Sequence, residues 1–116
     1  MNERTAMKFK DKVVLVTGAS RGIGAGIAHA FAAEGATVVV NHVSNAAAAA
    51  EVVAQCQAAG GDAWAVKADV GSALAVQAMV DEIVRETGRI DVVVNNAFRP
   101  YACLLYTSDA ADEGLG

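Results

Sequence analysis

The chain has 116 residues, 54% hydrophobic and 19% charged, a composition typical of one globular domain with a modest core and not of a disordered segment. Its net charge of −4 at pH 7 argues against a nucleic-acid or anionic-membrane partner. The charged lead-in, residues 1–11, has no apolar signal core and the two cysteines lack a metal-ligand spacing, so we expect a cytoplasmic protein without a metal site.

Four short strands alternating with three helices are predicted from the hydrophobic pattern. The strands are predicted at 13–16, 37–40, 63–66 and 90–94, where apolar and β-branched residues cluster. The helices are predicted at 21–34, between Ser44 and Gly60, and between Ser72 and Gly88, where apolar residues recur three and four apart.

The predicted helix ends carry residues that suit them. Ser44 and Ser72 are predicted N-caps, and Gly35 and Gly88 are placed to end a helix in the left-handed conformation. The alanine run at 46–50 has low-complexity disorder as its alternative, but alanine is the best helix former and the run keeps the helical register. The first helix is predicted to bury the face formed by Ile23, Ile27, Ala30 and Phe31.

Strands and helices that alternate with short connections indicate parallel strands joined by right-handed crossovers. The predicted fold is therefore α/β, a partial doubly wound parallel sheet of the Rossmann type with strand order 3-2-1-4. The first and fourth strands are neighbours whose connections leave in opposite directions. A ligand site is expected in the crevice at their carboxyl ends, where Asp69 and Asn95 would meet the loop after the first strand.

The sequence TGASRGIG, residues 17–24, lies where the first strand turns into the first helix. The unpaired N–H groups and the positive dipole end of a helix can hold a diphosphate there. Gly18 is expected to allow the tight turn, Gly22 to let the backbone approach the phosphates, and Gly24 to let helix and strand pack closely. A glycine-rich turn without a ligand is the alternative, and the flanking strand and helix argue against it.

Three motifs, in their order and spacing, resemble the short-chain dehydrogenase/reductase family. They are TGxxxGxG at 17–24, Asp69-Val70, and Asn95-Asn96-Ala97, within a similarity that covers 10–97. The sequence between them is most similar to the 3-oxoacyl-acyl-carrier-protein reductase branch, which acts in fatty acid biosynthesis. The resemblance implies hydride transfer between a nicotinamide and a small-molecule carbonyl or alcohol, in a complete enzyme that is a homo-oligomer.

The resemblance also implies cofactor-binding roles for particular residues. Asp69 and Val70 would contact the adenine, and Asn95, Asn96 and Ala97 would line the ribose side and brace the sheet. The residues implied for the pyrophosphate and the adenosine ribose are Gly18, Ser20, Arg21, Gly22, Ile23 and Gly24. The family usually has glycine after this Asn-Asn-Ala motif, whereas this chain has Phe98.

NADP is expected as the cofactor in preference to NAD. An NAD site usually has a carboxylate at the end of the second strand, and the segment 41–44 has none. Asn41, at the start of this segment, is a predicted cofactor-binding residue. Arg21 can reach a 2′-phosphate with a charge-assisted bond, and a solvent-facing loop cation is its alternative. His42 is interpreted as a surface histidine, with a phosphate or adenine contact as the alternative, and His29 as exposed or packed at an edge and not catalytic.

No catalytic residue is assigned in this chain. Reduction of a carbonyl needs a proton donor; in the family this is a tyrosine followed four residues later by lysine, with an earlier serine. Tyr101 is followed at that distance by Leu105 and Tyr106 by Ala110. The chain as printed is therefore predicted to be inactive.

Residues 103–113 resemble a translated transposon-end sequencing adapter, with a divergent acidic C-terminal helix as the alternative. We accordingly divide the chain into the lead-in 1–11, a truncated NADP-binding Rossmann domain at 12–102, and a non-native tail at 103–116. The fourth strand is expected to have an unpaired edge, so we expect the chain to fold weakly and to aggregate. A non-catalytic dinucleotide-binding module is the second functional interpretation. An epimerase or dehydratase of a related fold ranks last, because its glycine motif is spaced differently.

Overall fold

The structure, a computed structural model, describes residues 8–96. Its strands are β1 (Val13–Val16), β2 (Thr37–His42), β3 (Asp62–Lys67) and β4 (Val92–Val94). Its helices are α1 (Gly22–Ala33), α2 (Ala46–Ala58) and α3 (Ala73–Thr87). The strands form one parallel sheet in the order β3-β2-β1-β4, which confirms the predicted fold class and strand order.

The central strands are covered on both faces, which is why their sequences are apolar without alternation. All four residues of β1 and the three valines of β2 are buried. On one face α1 and α2 cover the sheet with small residues such as Ala28, Ala32 and Cys56. On the other face α3 contributes Met79 and Ile83. Cys56 is thus a core residue, as predicted, and burial raises the pKa of its thiol.

The buried face of α1 differs from the predicted one. Ile23 is 77% exposed, and the residues buried along the helix are Gly24, Ala28 and Ala32, each four positions after the last. Ile27 and Phe31 are only partly buried at the edge of this line. Small residues occupy the contact because the helix lies too close to the sheet for larger side chains.

The helix ends follow the predictions except at the start of α2. The N-cap there is Asn45, whose Oδ1 accepts a hydrogen bond from Ala48 N at 3.0 Å, so the prediction of Ser44 is wrong by one residue. Ser72 caps α3 as predicted, its Oγ accepting from Ala75 N at 3.1 Å. Gly88 follows α3 with φ of 85°, the left-handed conformation expected for it.

β4 is shorter than the predicted 90–94 and is fixed to β1 by reciprocal bonds. Asp91 N donates to Val13 O, and Val13 N donates to Asp91 Oδ2, each at 2.8 Å. Arg89 forms a salt bridge with the same carboxylate at 2.8 Å. The predictions made for Ala97, Phe98 and the tail from residue 103 fall outside the described residues. Of the three described helices, none combines the length and apolar character that a membrane crossing requires.

Candidate functional site

The glycine loop joins the carboxyl end of β1 to the amino end of α1, beside the ends of β2 and β4. Gly18 and Gly22 have φ values of 61° and 63°, in the left-handed region that glycine adopts without strain. A Cβ built on Gly22 would meet nothing within 4 Å, so this part of the loop faces open space. The backbone at Gly22 is therefore accessible from the cavity described below.

Gly24 lies where the loop enters the helix and has no room for a side chain. A Cβ at this position would come within 2.5 Å of both Asn96 Nδ2 and Gly18 O, and 3.0 Å of Ala19 Cα. The close packing expected at the third glycine of the motif is therefore present.

The amino end of α1 has no side-chain cap. Arg21 occupies the N-cap position in an extended conformation and makes no side-chain capping bond, whereas Asn45 and Ser72 cap α2 and α3. The first N–H groups of a helix have no intrahelical acceptor and carry the positive end of the dipole. This helix end suits an anionic ligand.

Two asparagine side chains hold Gly18 from opposite sides. Gly18 N donates to Asn41 Oδ1 at 3.1 Å, and Asn96 Nδ2 donates to Gly18 O at 3.0 Å. Ala19 N also donates to Asn41 O at 2.9 Å. Since both backbone polar groups of Gly18 bond to side chains of the protein, Gly18 shapes the loop and leaves its N–H unavailable to a phosphate.

Thr17 connects the loop to β4, a role that the motif spacing did not predict. Its hydroxyl accepts a hydrogen bond from Asn96 N at 2.9 Å, and its own N–H donates to Val94 O at 3.0 Å. The signal available in the sequence was a hydroxyl residue directly between the buried strand and the first glycine. Thr17 and Asn96 together fix the loop against the neighbouring strand.

The segment after β3 forms the other side of the site. Asp69 Oδ1 accepts from Gly71 N at 2.8 Å, and Asp69 O accepts from Ser72 N at 2.9 Å, so a turn leads directly into α3. Val70 borders the cavity described next. The Asp69-Val70 motif therefore lies at the same edge of the sheet as the glycine loop.

A cavity of about 470 Å³ lies over this edge, between the loop, the end of β2 and the start of α2. It is lined by Gly18, Ser20, Arg21, Gly22, His42, Val43, Ser44, Asn45, Val70 and Asn96. Arg21 is the one formally charged residue in this lining, and no carboxylate is among these residues. The lining therefore combines the glycine loop with polar side chains and one cation.

His42 is buried, so the prediction of a surface histidine is wrong. It is the last residue of β2 and is only 7% exposed, because its side chain lies on the face covered by α1 and α2. Its Nδ1 is buried and, within the described part of the chain, has no hydrogen-bond partner. His42 is nevertheless among the residues that line the cavity.

The other predicted site residues fall into two positions relative to the cavity. Asn41 and Gly24 are buried beneath the loop, while Ile23 and Asn95 are exposed near it. Ala97 lies outside the described residues. His29 is exposed on α1, in agreement with the expectation for it.

Comparisons with known proteins agree with this arrangement. The chain is 52% identical over 90 residues to an uncharacterized oxidoreductase of Methylorubrum extorquens, covering 78% of this chain and 36% of that protein. It is 43% identical over 97 residues to the hydroxynaphthalene reductase arp2 of Aspergillus fumigatus, covering 84% of this chain and 36% of that protein. It is 48% identical over 86 residues to the 3-oxoacyl-[acyl-carrier-protein] reductase FabG of Staphylococcus aureus, covering 74% of this chain and 35% of that protein. The chain thus spans about a third of the length of these relatives.

Solved structures and a family model give the same assignment. A hydroxysteroid dehydrogenase from Escherichia coli superposes with a TM-score of 0.75 at 38% identity, over 83% of this chain and 40% of that one. The family model described as short chain dehydrogenase matches residues 12–110. The chain therefore belongs to the short-chain dehydrogenase family.

Proposed function

We propose that this chain is the NADP-binding part of an oxidoreductase that transfers hydride between a nicotinamide and a carbonyl or alcohol group of a small molecule. The observation that carries the proposal is the cavity at the uncapped amino end of α1, lined by the glycine loop and Arg21. When bound, the nicotinamide cofactor supplies the hydride acceptor or donor. The protein supplies binding, orientation and electrostatics.

The pyrophosphate is assigned to the start of α1. The N–H groups of its first turn have no side-chain cap, and the space beside Gly22 is open. Oriented amides bind a diphosphate through hydrogen bonds and the helix dipole, without a charged side chain for each phosphate. Gly18 contributes the shape of the turn, because its N–H bonds to Asn41.

NADP is proposed in preference to NAD because of the charges around the cavity. Arg21 lines the cavity and can pair with a 2′-phosphate through a charge-assisted bond, and no carboxylate is among the lining residues. A second cavity of about 400 Å³ at the opposite end of the strands is lined by Asp62, Glu82 and Glu86, and would repel a phosphate. Charge therefore favours the cavity at the glycine loop for an anionic cofactor.

A ketone is proposed as the substrate group of the whole enzyme, with a 3-oxoacyl thioester as the specific candidate. The support is that relatives with 43–51% identity are named as reductases, among them FabG at 48%. The 116 residues contain no tyrosine followed four positions later by lysine. We therefore propose that the chain as printed binds cofactor without turning over substrate.

Arg21→Ala tests the cofactor proposal. Losing a charge-assisted bond to a 2′-phosphate costs about 1.5–3 kcal/mol, so the affinity for NADPH should fall about 10- to 150-fold. The affinity for NADH should change less than about threefold, since NADH lacks that phosphate. Calorimetric titration of the purified chain with each cofactor measures both constants.

Arg85→Ala is the matched control, because it removes one exposed cation from α3, away from the cavity. It should leave both affinities as in the original chain. Equal losses for NADPH and NADH in Arg21→Ala would contradict the 2′-phosphate assignment. A folded original chain that binds neither cofactor would contradict the proposed function itself.

A further inference from the structure

We infer that Asn41 is a positioning residue that sets the distance between the two halves of the cofactor site and takes no part in choosing between NADP and NAD. The inference rests on the proposed function. Asn41 begins the segment 41–44, in which the absence of a carboxylate favours NADP over NAD.

The Asn41 side chain is fully buried and its polar atoms all have partners within the protein. Its Oδ1 accepts from Gly18 N at 3.1 Å. Its Nδ2 donates to Ala68 O at 3.1 Å and to Val66 O at 3.4 Å. An amide offers one oxygen and two N–H donors, so these three bonds employ both ends of the group.

These partners belong to different halves of the site. Gly18 lies in the phosphate-binding loop, whereas Val66 and Ala68 flank the end of β3 and lead into the Asp69-Val70 segment on the adenine side. A single rigid amide therefore spans from one half to the other. Because the protein interior is close-packed, removing this spacer should let the two halves move relative to one another.

The direction of the side chain excludes a role in cofactor choice. Successive residues of a strand point to opposite faces, and of the last two residues of β2 it is His42, on the other face, that lines the cavity. A carboxylate at position 41 would still accept from Gly18 N, but it would face the carbonyl oxygens of Val66 and Ala68 without a donor. The substitution should therefore damage the site without reaching the ribose.

The test compares Asn41→Ala, Asn41→Asp and Asn41→Thr by calorimetric titration with NADP⁺ and with NAD⁺. Leaving buried polar groups unpaired is expected to lower the affinity for each cofactor about tenfold in Asn41→Ala and Asn41→Asp. The ratio of the two affinities should stay within about twofold of the original. Asn41→Thr suits a strand and keeps a hydroxyl that can both donate and accept, so it should lose less affinity than Asn41→Ala.

Gln57→Ala is the matched control. Its Nε2 donates to Ala63 O at 3.2 Å, another amide bonded to a β3 carbonyl but distant from the cavity. It should leave both affinities unchanged whatever its effect on the melting temperature, which is recorded for every variant.

The outcomes separate the two proposals. Unchanged affinity in the folded Asn41 variants, or a shift of the ratio toward NAD⁺ in Asn41→Asp, would overturn the inference. If Asn41→Ala and Asn41→Asp fail to fold, Asn41→Thr decides: one hydroxyl cannot replace all three bonds of the amide, so a loss of affinity is still expected and original affinity overturns the inference. Absence of binding by the original chain would instead count against the proposed function.

Discussion

Two glycines of α1 that are two residues apart have opposite environments. Gly24 has no space for a methyl group, because Asn96 Nδ2 and Gly18 O would each lie 2.5 Å from it. Gly26 has nothing within 4 Å of an added Cβ and is exposed. The same substitution should therefore have opposite effects at the two positions.

Gly26→Ala is expected to stabilise the chain by about 1 kcal/mol, because alanine loses less backbone entropy in a helix than glycine. The melting temperature should rise by about 4–8 °C. Gly24→Ala should lower it and weaken NADPH binding, since the helix start and Asn96 must shift apart. Thermal unfolding followed by circular dichroism, with and without NADPH, measures both, and a stabilising Gly24→Ala would contradict the packing described here.

Sequence propensity does not determine which of two adjacent residues caps the amino end of a helix. Serine and asparagine are nearly equal as N-caps, so adjacent Ser44 and Asn45 both fit the pattern before the alanine run. The structure selects Asn45, because its Oδ1 reaches Ala48 N.

Asn45→Ala should therefore destabilise the chain by about 1 kcal/mol, and Ser44→Ala by much less. Denaturant unfolding without cofactor measures the difference, because both residues line the cavity and could also affect binding. Equal effects of the two substitutions would mean that the cap is shared or lies at Ser44.

The sequence pattern also failed to predict which face of α1 contacts the sheet. Helical periodicity favoured the large residues Ile23 and Phe31, but contact with the sheet is made through Gly24, Ala28 and Ala32. Ile23, Ile27 and Phe31 are spaced four apart, and the small residues have the same spacing. The helical period therefore predicted the helix correctly but did not determine which of its faces contacts the sheet. Small residues form this contact because α1 packs close to its neighbours, and a Cβ at Gly24 would already have no room.

Hydrogen bonds between Val13 and Asp91 hold β1 to the start of β4. The Arg89 guanidinium, and then the bond from Val13 N–H, lower the pKa of the Asp91 carboxyl below its ordinary value. A lowered pKa in the folded state means that the contribution to stability is present above the unfolded pKa, about 3.9 for aspartate. It is lost as pH falls through the lowered folded value.

Asp91→Asn should therefore reduce stability at neutral pH and leave less dependence of stability on pH below about 4. Arg89→Gln, which removes the first cause of the shift, should raise the pH at which stability is lost. Urea unfolding at pH values between about 2 and 7 measures both effects. An Asp91→Asn variant with the full acid dependence of the original chain would contradict this explanation.

The sequence by itself determined the alternation of strands and helices, the order of the sheet and the place of the glycine loop. Hydrophobic runs, helical spacing and glycines at turns are local signals, and the handedness of crossovers converts them into one topology. The tertiary structure alone decided that Asn41 turns beneath the loop and His42 toward the cavity wall, and that small residues form the contact face of α1. These outcomes depend on which face of a strand meets which neighbour and how closely a helix approaches, and both are fixed by packing between segments distant in the chain.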